Sequence, residues 1–220
     1  MTTKGKVKLL DAPIGNVGRG YGMNGLCRGV DGNFYSTTLD GSTYGHGSLY
    51  RVTPWGKATI VHAFALDDPI GYPGRAYVTS GADGLLYVVT TGGGTYDLGA
   101  ISRVSLDGTA TVLHNFAPDD AFGFDAQGPL MLAADGNFYG VTGSGGAGSG
   151  QGANGGVTYR LALDGGMEVI HTFGQPNVAQ GDRPFGTLTQ LADGGIYGMV
   201  LQGGQFNVGG YYRLEPKSAP

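Results

Sequence analysis

This 220-residue chain is expected to be all-β: a four-bladed β-propeller with four antiparallel strands per blade, its ring closed by the N-terminal strand. The sequence repeats itself four times, its composition is that of strands and turns, and its beginning resembles the element its last repeat lacks. Asp-Gly pairs start at Asp31, Asp83, Asp135 and Asp193, a period of about 50 residues that falls among propeller blades. With 45 Gly, 13 Tyr, 9 Phe and 14% charged residues, the chain suits short strands joined by tight turns better than a helical array.

Each unit reads as four strands labelled A (inner) to D (outer). After Asp-Gly come the B strands NFYSTT, LLYVVT, NFYGVT and GIYGMV, then a Gly-rich loop and the C strands SLYRV, AISRV, VTYRL and YYRL. Tight turns (TPWGK, SLDGT, ALDGG) lead to the D strands ATIVHAF, ATVLHNF and MEVIHTF, and irregular loops return to the A strands. The blades are expected at 23–64, 75–116, 127–173 and 185–214. The fourth has no D strand of its own, but GKVKLLDAPI aligns with GKATIVHAFA from Gly56 to Ala65, so residues 1–12 are expected to supply it through Lys6 to Ala12, removing a free sheet edge. DGNFY occurs twice because it opens equivalent B strands: Asp-Gly provides the φ > 0 turn and the aromatics fill the space between sheets.

The run DGNFYGVTGSGG followed by VTYRLALDGGMEVIHTF resembles the GloVer-type tandem repeat of bacterial β-propeller-like proteins, over essentially the whole chain. That resemblance implies an exposed, secreted or surface-anchored setting and brings no catalytic residues with it. The segment MTTKGKVKLLDAPIG has no apolar core of a signal peptide, and no run approaches the ~20 apolar residues of a membrane span. No membrane insertion is expected, and the compartment stays open between an extracellular and a virion setting. A net charge of −4 with scattered Lys and Arg lacks the footprint of a nucleic-acid binder. Cys27 is the single cysteine, so no internal disulfide can form.

In a propeller the A–B and C–D turns share one face and here they are minimal; the B–C and D–A loops share the other, where ligands are expected. GSTYGHG, GGTYDLG and GGQFNVG place Tyr44, Tyr96 and Phe206 at one equivalent loop position, either as exposed platforms for a sugar or partner or as cover for a neighbouring blade. Met23, Arg75, Gln127 and Phe185 form a column at the mouth of the ring, with Asn24, Tyr72, Phe124 and Asp182 nearby: a mixed polar and aromatic rim, or a plug in a narrow channel. Asp67–Asp68 and Asp119–Asp120 read as turn caps rather than a catalytic pair, because adjacent carboxylates in extended chain point apart. His62, His114 and His171, with Asp11 as the fourth, have metal-like repetition. They sit on outer strands ~14 Å from the inner ones, on different sides of the ring, so no metal or other cofactor is expected. Arg51, Arg103, Arg160 and Arg213 recur once per blade as scaffold contacts, and Trp55 on the short-turn face is either flank packing or a partner anchor.

The expected function is a non-enzymatic recognition or assembly module that displays loops to a glycan or protein partner, as in a surface or phage tail component. The alternative is a carbohydrate-active enzyme, lyase or hydrolase, that works at the propeller mouth through Arg75 or Asp182.

Overall fold

The computed structural model describes residues 23–146, 155–174, 181–204 and 206–214. The expected closing strand, Lys6 to Ala12, and Asp11 with it, lie outside the described residues. Those residues form sixteen strands and no helix. The first sheet is β1 (Met23–Arg28), β2 (Phe34–Thr38), β3 (Ser48–Val52) and β4 (Ala58–Ala63); the second is β5 (Tyr72–Ser80), β6 (Leu86–Gly92), β7 (Ala100–Val104) and β8 (Ala110–Asn115). The third contains β9 (Phe124–Ala126), β10 (Met131–Leu132), β11 (Phe138–Ser144), β12 (Val157–Leu161) and β13 (Met167–Thr172); the fourth contains β14 (Asp182–Gln190), β15 (Ile196–Gln202) and β16 (Gly210–Leu214). Every ladder is antiparallel and follows chain order, so each repeat forms one meander.

The third sheet departs from the expected four strands. Its inner strand is split, β9 and β10 both pairing with β11 around Gln127–Pro129. Pro129 has no N–H to give the ladder, and Gly128 lies so close to the Gly186 carbonyl of the fourth sheet that a Cβ would meet it at 2.6 Å. The other inner strands bulge at the same place: between Asn24 and Cys27, between Tyr72 and Ala76, and between Phe185 and Thr189. All four inner strands therefore break register near the axis, the kind of irregularity that re-aims side chains beside binding sites.

At the opposite end, the Asp-Gly turns are built alike. Gly32, Gly84, Gly136 and Gly194 have φ of 79°, 82°, 80° and 79°, a region that costs a side-chain-bearing residue strain. The preceding aspartate accepts from the backbone N–H two residues on, at Asn33, Leu85, Asn137 and Gly195. Its second oxygen accepts the hydroxyl of the tyrosine four residues on: Tyr35 at 2.8 Å, and Tyr87, Tyr139 and Tyr197 at 2.9 Å. In the first three sheets the tyrosine thus buries its ring while its hydroxyl stays paired, which is how a large aromatic enters a core without an orphaned polar atom; Tyr197 of the fourth sheet makes the same bond while only partly buried.

Three successive interfaces bury the sheets against one another. Tyr35, Leu49 and Phe64 meet Ala76, Val78, Leu86 and Val88; Tyr87, Ile101 and Phe116 meet Ala126, Leu130, Tyr159 and Leu161; Tyr139 and Val141 meet Leu188 and Ile196. Near the axis each interface is pinned by one hydrogen bond: Thr37 Oγ1 to the Ala76 carbonyl at 2.5 Å, Thr79 Oγ1 to the Leu130 carbonyl at 2.7 Å, and the Gly186 N–H to the Gln127 carbonyl at 3.1 Å. A closed ring of four would seat the fourth sheet on the first in the same way. Instead the corresponding face of the fourth sheet is open, with Tyr211 88% exposed.

Candidate functional site

The inner strands converge on a cavity of about 330 Å³ lined by Asn24 and Cys27 from β1, Tyr77 and Thr79 from β5, Leu130 just before β10, and Thr187 from β14. All four sheets contribute to it. Asn24 donates to Thr37 Oγ1 at 3.5 Å, and its carbonyl accepts Ser36 Oγ at 2.9 Å. Burial pushes the Cys27 thiol up to about 11, so at neutral pH it is a protonated lining group and no nucleophile.

At the long-loop end, the starts of β5, β9 and β14 bring unlike charges together. Asp125 is half-buried, and desolvation raises its carboxyl above the ordinary value; a hydrogen bond from Gln127 and the charges of Arg183 and Arg75 oppose that rise without cancelling it. Arg75 stands exposed, its backbone N–H held by Thr91 Oγ1 at 2.8 Å. Arg183 is tied through its backbone N–H to the Gly155 carbonyl at 3.2 Å. Asp125 and Arg183 occupy equivalent positions and both have left-handed backbone, φ 62° and 56°, although neither is glycine. Such strain costs of order 1 kcal/mol or more per residue and gathers at ligand clamps and active sites. Gln127 lies across Gly143, where a Cβ would come within 2.8 Å of its Nε2, so the glycine makes room for the amide.

Arg75 and Gln127 are thus brought together as the sequence suggests, around two residues that the sequence reasoning missed, Asp125 and Arg183. A left-handed backbone at a non-glycine residue leaves little trace in sequence. The available signal was the change of residue type, Pro73, Asp125 and Arg183, along a single repeat position. Asp182 is adjacent, and its Oδ1 is shielded from solvent without a hydrogen-bond partner. Tyr72 is committed elsewhere: its hydroxyl donates to Asp97 at 2.9 Å and its ring stands 5.4 Å from His46, tying two loops together. Phe124 packs on the core between the second and third sheets.

Tyr44, Tyr96 and Phe206 are all exposed, so they do not serve as cover for neighbouring sheets, and among the described residues no ring contact joins them. Trp55 is 90% exposed on the short-turn face, which rules out flank packing. His62 Nε2 hydrogen-bonds Asp68 at 2.6 Å, and His114 Nε2 pairs with Asp120 in the equivalent place at 2.5 Å. The same two aspartates cap the loops, accepting from the N–H groups of Ile70 and Phe122, so they are turn caps that also anchor the outer strand. His171 stacks edge-on to Phe173, and burial lowers its basicity. Of the arginine ladder, Arg160 pairs with Glu168 at 3.1 Å and Arg213 with Asp193 at 3.3 Å, both scaffold contacts.

Residues 22–219 match the sequence profile of the Gloeobacter/Verrucomicrobia repeat, and the chain belongs to that family. No curated protein matches it in sequence. Among solved structures it is similar to a gluconolactonase from Xanthomonas campestris (TM-score 0.56, 15% identity, 94% of this chain and 61% of that one). It is also similar to the PQQ-bound aldose sugar dehydrogenase of Streptomyces coelicolor (TM-score 0.54, 17% identity, 81% and 56%). A luciferin-regenerating enzyme aligns comparably (TM-score 0.57, 14% identity, 89% and 62%). At such identities the likeness shows a propeller-like fold alone, and the chain spans between 56% and 62% of the length of these three.

Proposed function

We propose that this member of the Gloeobacter/Verrucomicrobia repeat family is a propeller-type recognition module that binds a glycan at its long-loop face. The observation that carries this reading is the convergence of Arg75, Asp125 and Arg183 from three sheets, the latter two on left-handed backbone, on inner strands that also line a cavity to which all four sheets contribute. A repeat protein that needed only a scaffold would use the same residue at each equivalent position. Here Gln127 and the two arginines supply donors in a fixed arrangement, and Asp125 supplies an acceptor that also holds a proton more readily than an ordinary carboxyl. Two arginines against one acid favour a sugar bearing a carboxylate or sulfate, because the guanidinium fork matches a planar or tetrahedral anion. Tyr44, Tyr96 and Phe206 around the rim offer flat surfaces to neighbouring sugar rings.

Titration calorimetry with uronate-containing, sulfated and neutral oligosaccharides tests this. Binding confined to the anionic set, weakened roughly tenfold or more in Arg75→Ala and Arg183→Ala with the melting temperature unchanged, is the expected result. Preference for neutral sugars, or indifference to both substitutions, refutes it. The raised Asp125 carboxyl also supports a second reading, a lyase or hydrolase in which it acts as proton donor. Product release from the bound oligosaccharide that disappears in Asp125→Asn is the sign of that chemistry.

A further inference from the structure

Two of the exposed rings at the long-loop end stand on loops that are tied to each other. The loop from Gly41 to Gly47 carries Tyr44, and the loop from Gly93 to Gly99 carries Tyr96 at the equivalent position. Each is closed at its base by the same bond, the N–H of its last glycine donating to the carbonyl of its first, at 3.1 Å and 3.0 Å. Between the two loops lies Tyr72, at the start of β5. Its hydroxyl donates at 2.9 Å to Oδ1 of Asp97, the residue after Tyr96, and the same oxygen accepts the Gly93 N–H at 2.9 Å. Its ring stands 5.4 Å from that of His46, two residues beyond Tyr44. Two glycines make the seat for that ring: a Cβ on Gly93 would lie 2.7 Å from Tyr72 Cδ1, and one on Gly92 would lie 3.2 Å from its Cε2.

The repeat separates what this tie does from what the loop needs for its own shape. Asn207 stands where Asp97 does and accepts the Gly203 N–H at 3.0 Å, so the cap of the loop recurs in the fourth sheet. The tyrosine hydroxyl does not recur, because Phe124 and Asp182 hold the position of Tyr72 in the third and fourth sheets. The cap shapes a loop, and Tyr72 adds a bridge from the loop of one sheet to the loop of the next. Tyr44 and Tyr96 themselves stay 58% and 56% exposed on either side of that bridge. Resting on the glycan reading above, we propose that Tyr72 is a positioning residue that holds Tyr44 and Tyr96 at a set separation as two platforms, and that the ligand is an extended oligosaccharide lying across both. Tyr72 and Arg75 are three residues apart on β5, about 10 Å at most, so one such chain reaches from the arginine at the mouth to the platforms. Rings fixed before binding spare the ligand the entropic cost of ordering two loops.

The test is titration calorimetry of the full chain with uronate-containing and sulfated oligosaccharides of increasing length, from the disaccharide upward. Affinity is expected to rise with length in the wild type. Tyr72→Phe keeps the ring and removes the hydroxyl, and it is expected to weaken the longest ligand by roughly two- to tenfold, the worth of one hydrogen bond, while leaving the disaccharide unchanged. Asp97→Asn places at the second loop the amide that already serves at Asn207, so it is expected to keep the length dependence of the wild type. In a chain carrying both Tyr44→Ala and Tyr96→Ala, adding Tyr72→Phe is expected to change nothing further, because Tyr72 acts through those two rings. Affinity independent of length, no effect of Tyr72→Phe, an equal loss at every length, or a loss that persists without Tyr44 and Tyr96 overturns the proposal. In each of those cases the glycan reading still stands if Arg75→Ala weakens the disaccharide. If no anionic oligosaccharide binds at all, both fall together.

Discussion

At the short-turn face one device appears four times: an aspartate, a glycine at positive φ, and a tyrosine four residues on whose hydroxyl returns to the aspartate. At the long-loop face the equivalent positions hold different residues in each sheet, Arg75 against Gln127 and Phe185, and Pro73 against Asp125 and Arg183. A tandem repeat spends its repetition on holding neighbouring sheets together, since each interface poses the same packing problem. A binding site needs several different groups pointing at one place, so it arises where the copies diverge. Strain follows the same division. Among the described residues the short turns place only glycine where φ is positive, whereas the long-loop end, besides its many glycines, also places side-chain-bearing residues there, at Ser42, Asp97, Asp125, Arg183 and Asn207.

The sharpest way to test that division is to damage one face and read the other. Tyr87 is fully buried between the second and third sheets, stacked 4.2 Å from Phe138. Tyr87→Ala is expected to cost about 3–5 kcal/mol in chemical denaturation, from lost burial and the cavity left behind. Arg75→Ala is expected to change stability by less than about 0.5 kcal/mol, as exposed substitutions do. Comparable losses from both would mean that the long-loop residues are scaffold too. The milder Tyr139→Phe keeps the ring and removes the hydroxyl from Asp135, for an expected loss of about 1–2 kcal/mol.

A second comparison concerns stored strain. Asp125→Gly relieves a left-handed backbone and is expected to stabilise the fold by up to about 1 kcal/mol while weakening anionic-glycan binding. The same change at a turn has no counterpart, because Gly32, Gly84, Gly136 and Gly194 are already relaxed; there Gly84→Ala is expected to destabilise by about 1 kcal/mol. If Asp125→Gly destabilises, its conformation is supported by contacts and is not held against a cost. On the short-turn face, Trp55→Ala is expected to leave glycan binding unchanged, and loss of binding there would reverse the assignment of faces.

The short-turn face was legible in sequence because four copies of one pattern can be aligned by eye, and the aspartate and glycine roles follow from turn chemistry. The Asp–Tyr hydrogen bonds were equally available in the spacing of DGNFY but were obscured by treating the aromatic as packing alone. The long-loop site was half legible. Arg75 and Gln127 fall out of the repeat column, but Asp125 and Arg183 act through a backbone conformation that only the folded chain reveals. The open face of the fourth sheet was not legible, since Met199 and Tyr211 read as ordinary strand residues until their burial is compared with Val89 and Ile101.

The smallest expected effect separates the two faces by the sign of their response to acid. Desolvation opposes ionisation of Asp31 and Asp135, but hydrogen bonds from Asn33 and Tyr35, and from Asn137 and Tyr139, outweigh it and hold both carboxyls below the ordinary 3.8. A carboxyl with a depressed value in the folded state stabilises the fold above pH 3.8, and that stabilisation is lost as pH falls through the lower, folded value. Asp125 is raised by desolvation, so the reverse holds: its burial is least costly when it is protonated, and stability is gained as pH falls through its folded value toward 3.8. Asp125→Asn, which cannot ionise, is therefore expected to exceed the wild type in stability at pH 7, and to lose that advantage by pH 3.8. Asp135→Asn is expected to lie below the wild type at pH 7, with the gap closing only under more acid conditions. Unfolding midpoints of the three proteins from pH 3 to pH 7 decide it. Parallel curves for Asp125→Asn and the wild type would mean that Arg75 and Arg183 already neutralise the carboxylate and that the mouth holds a closed ion cluster, with no acid left to meet a ligand.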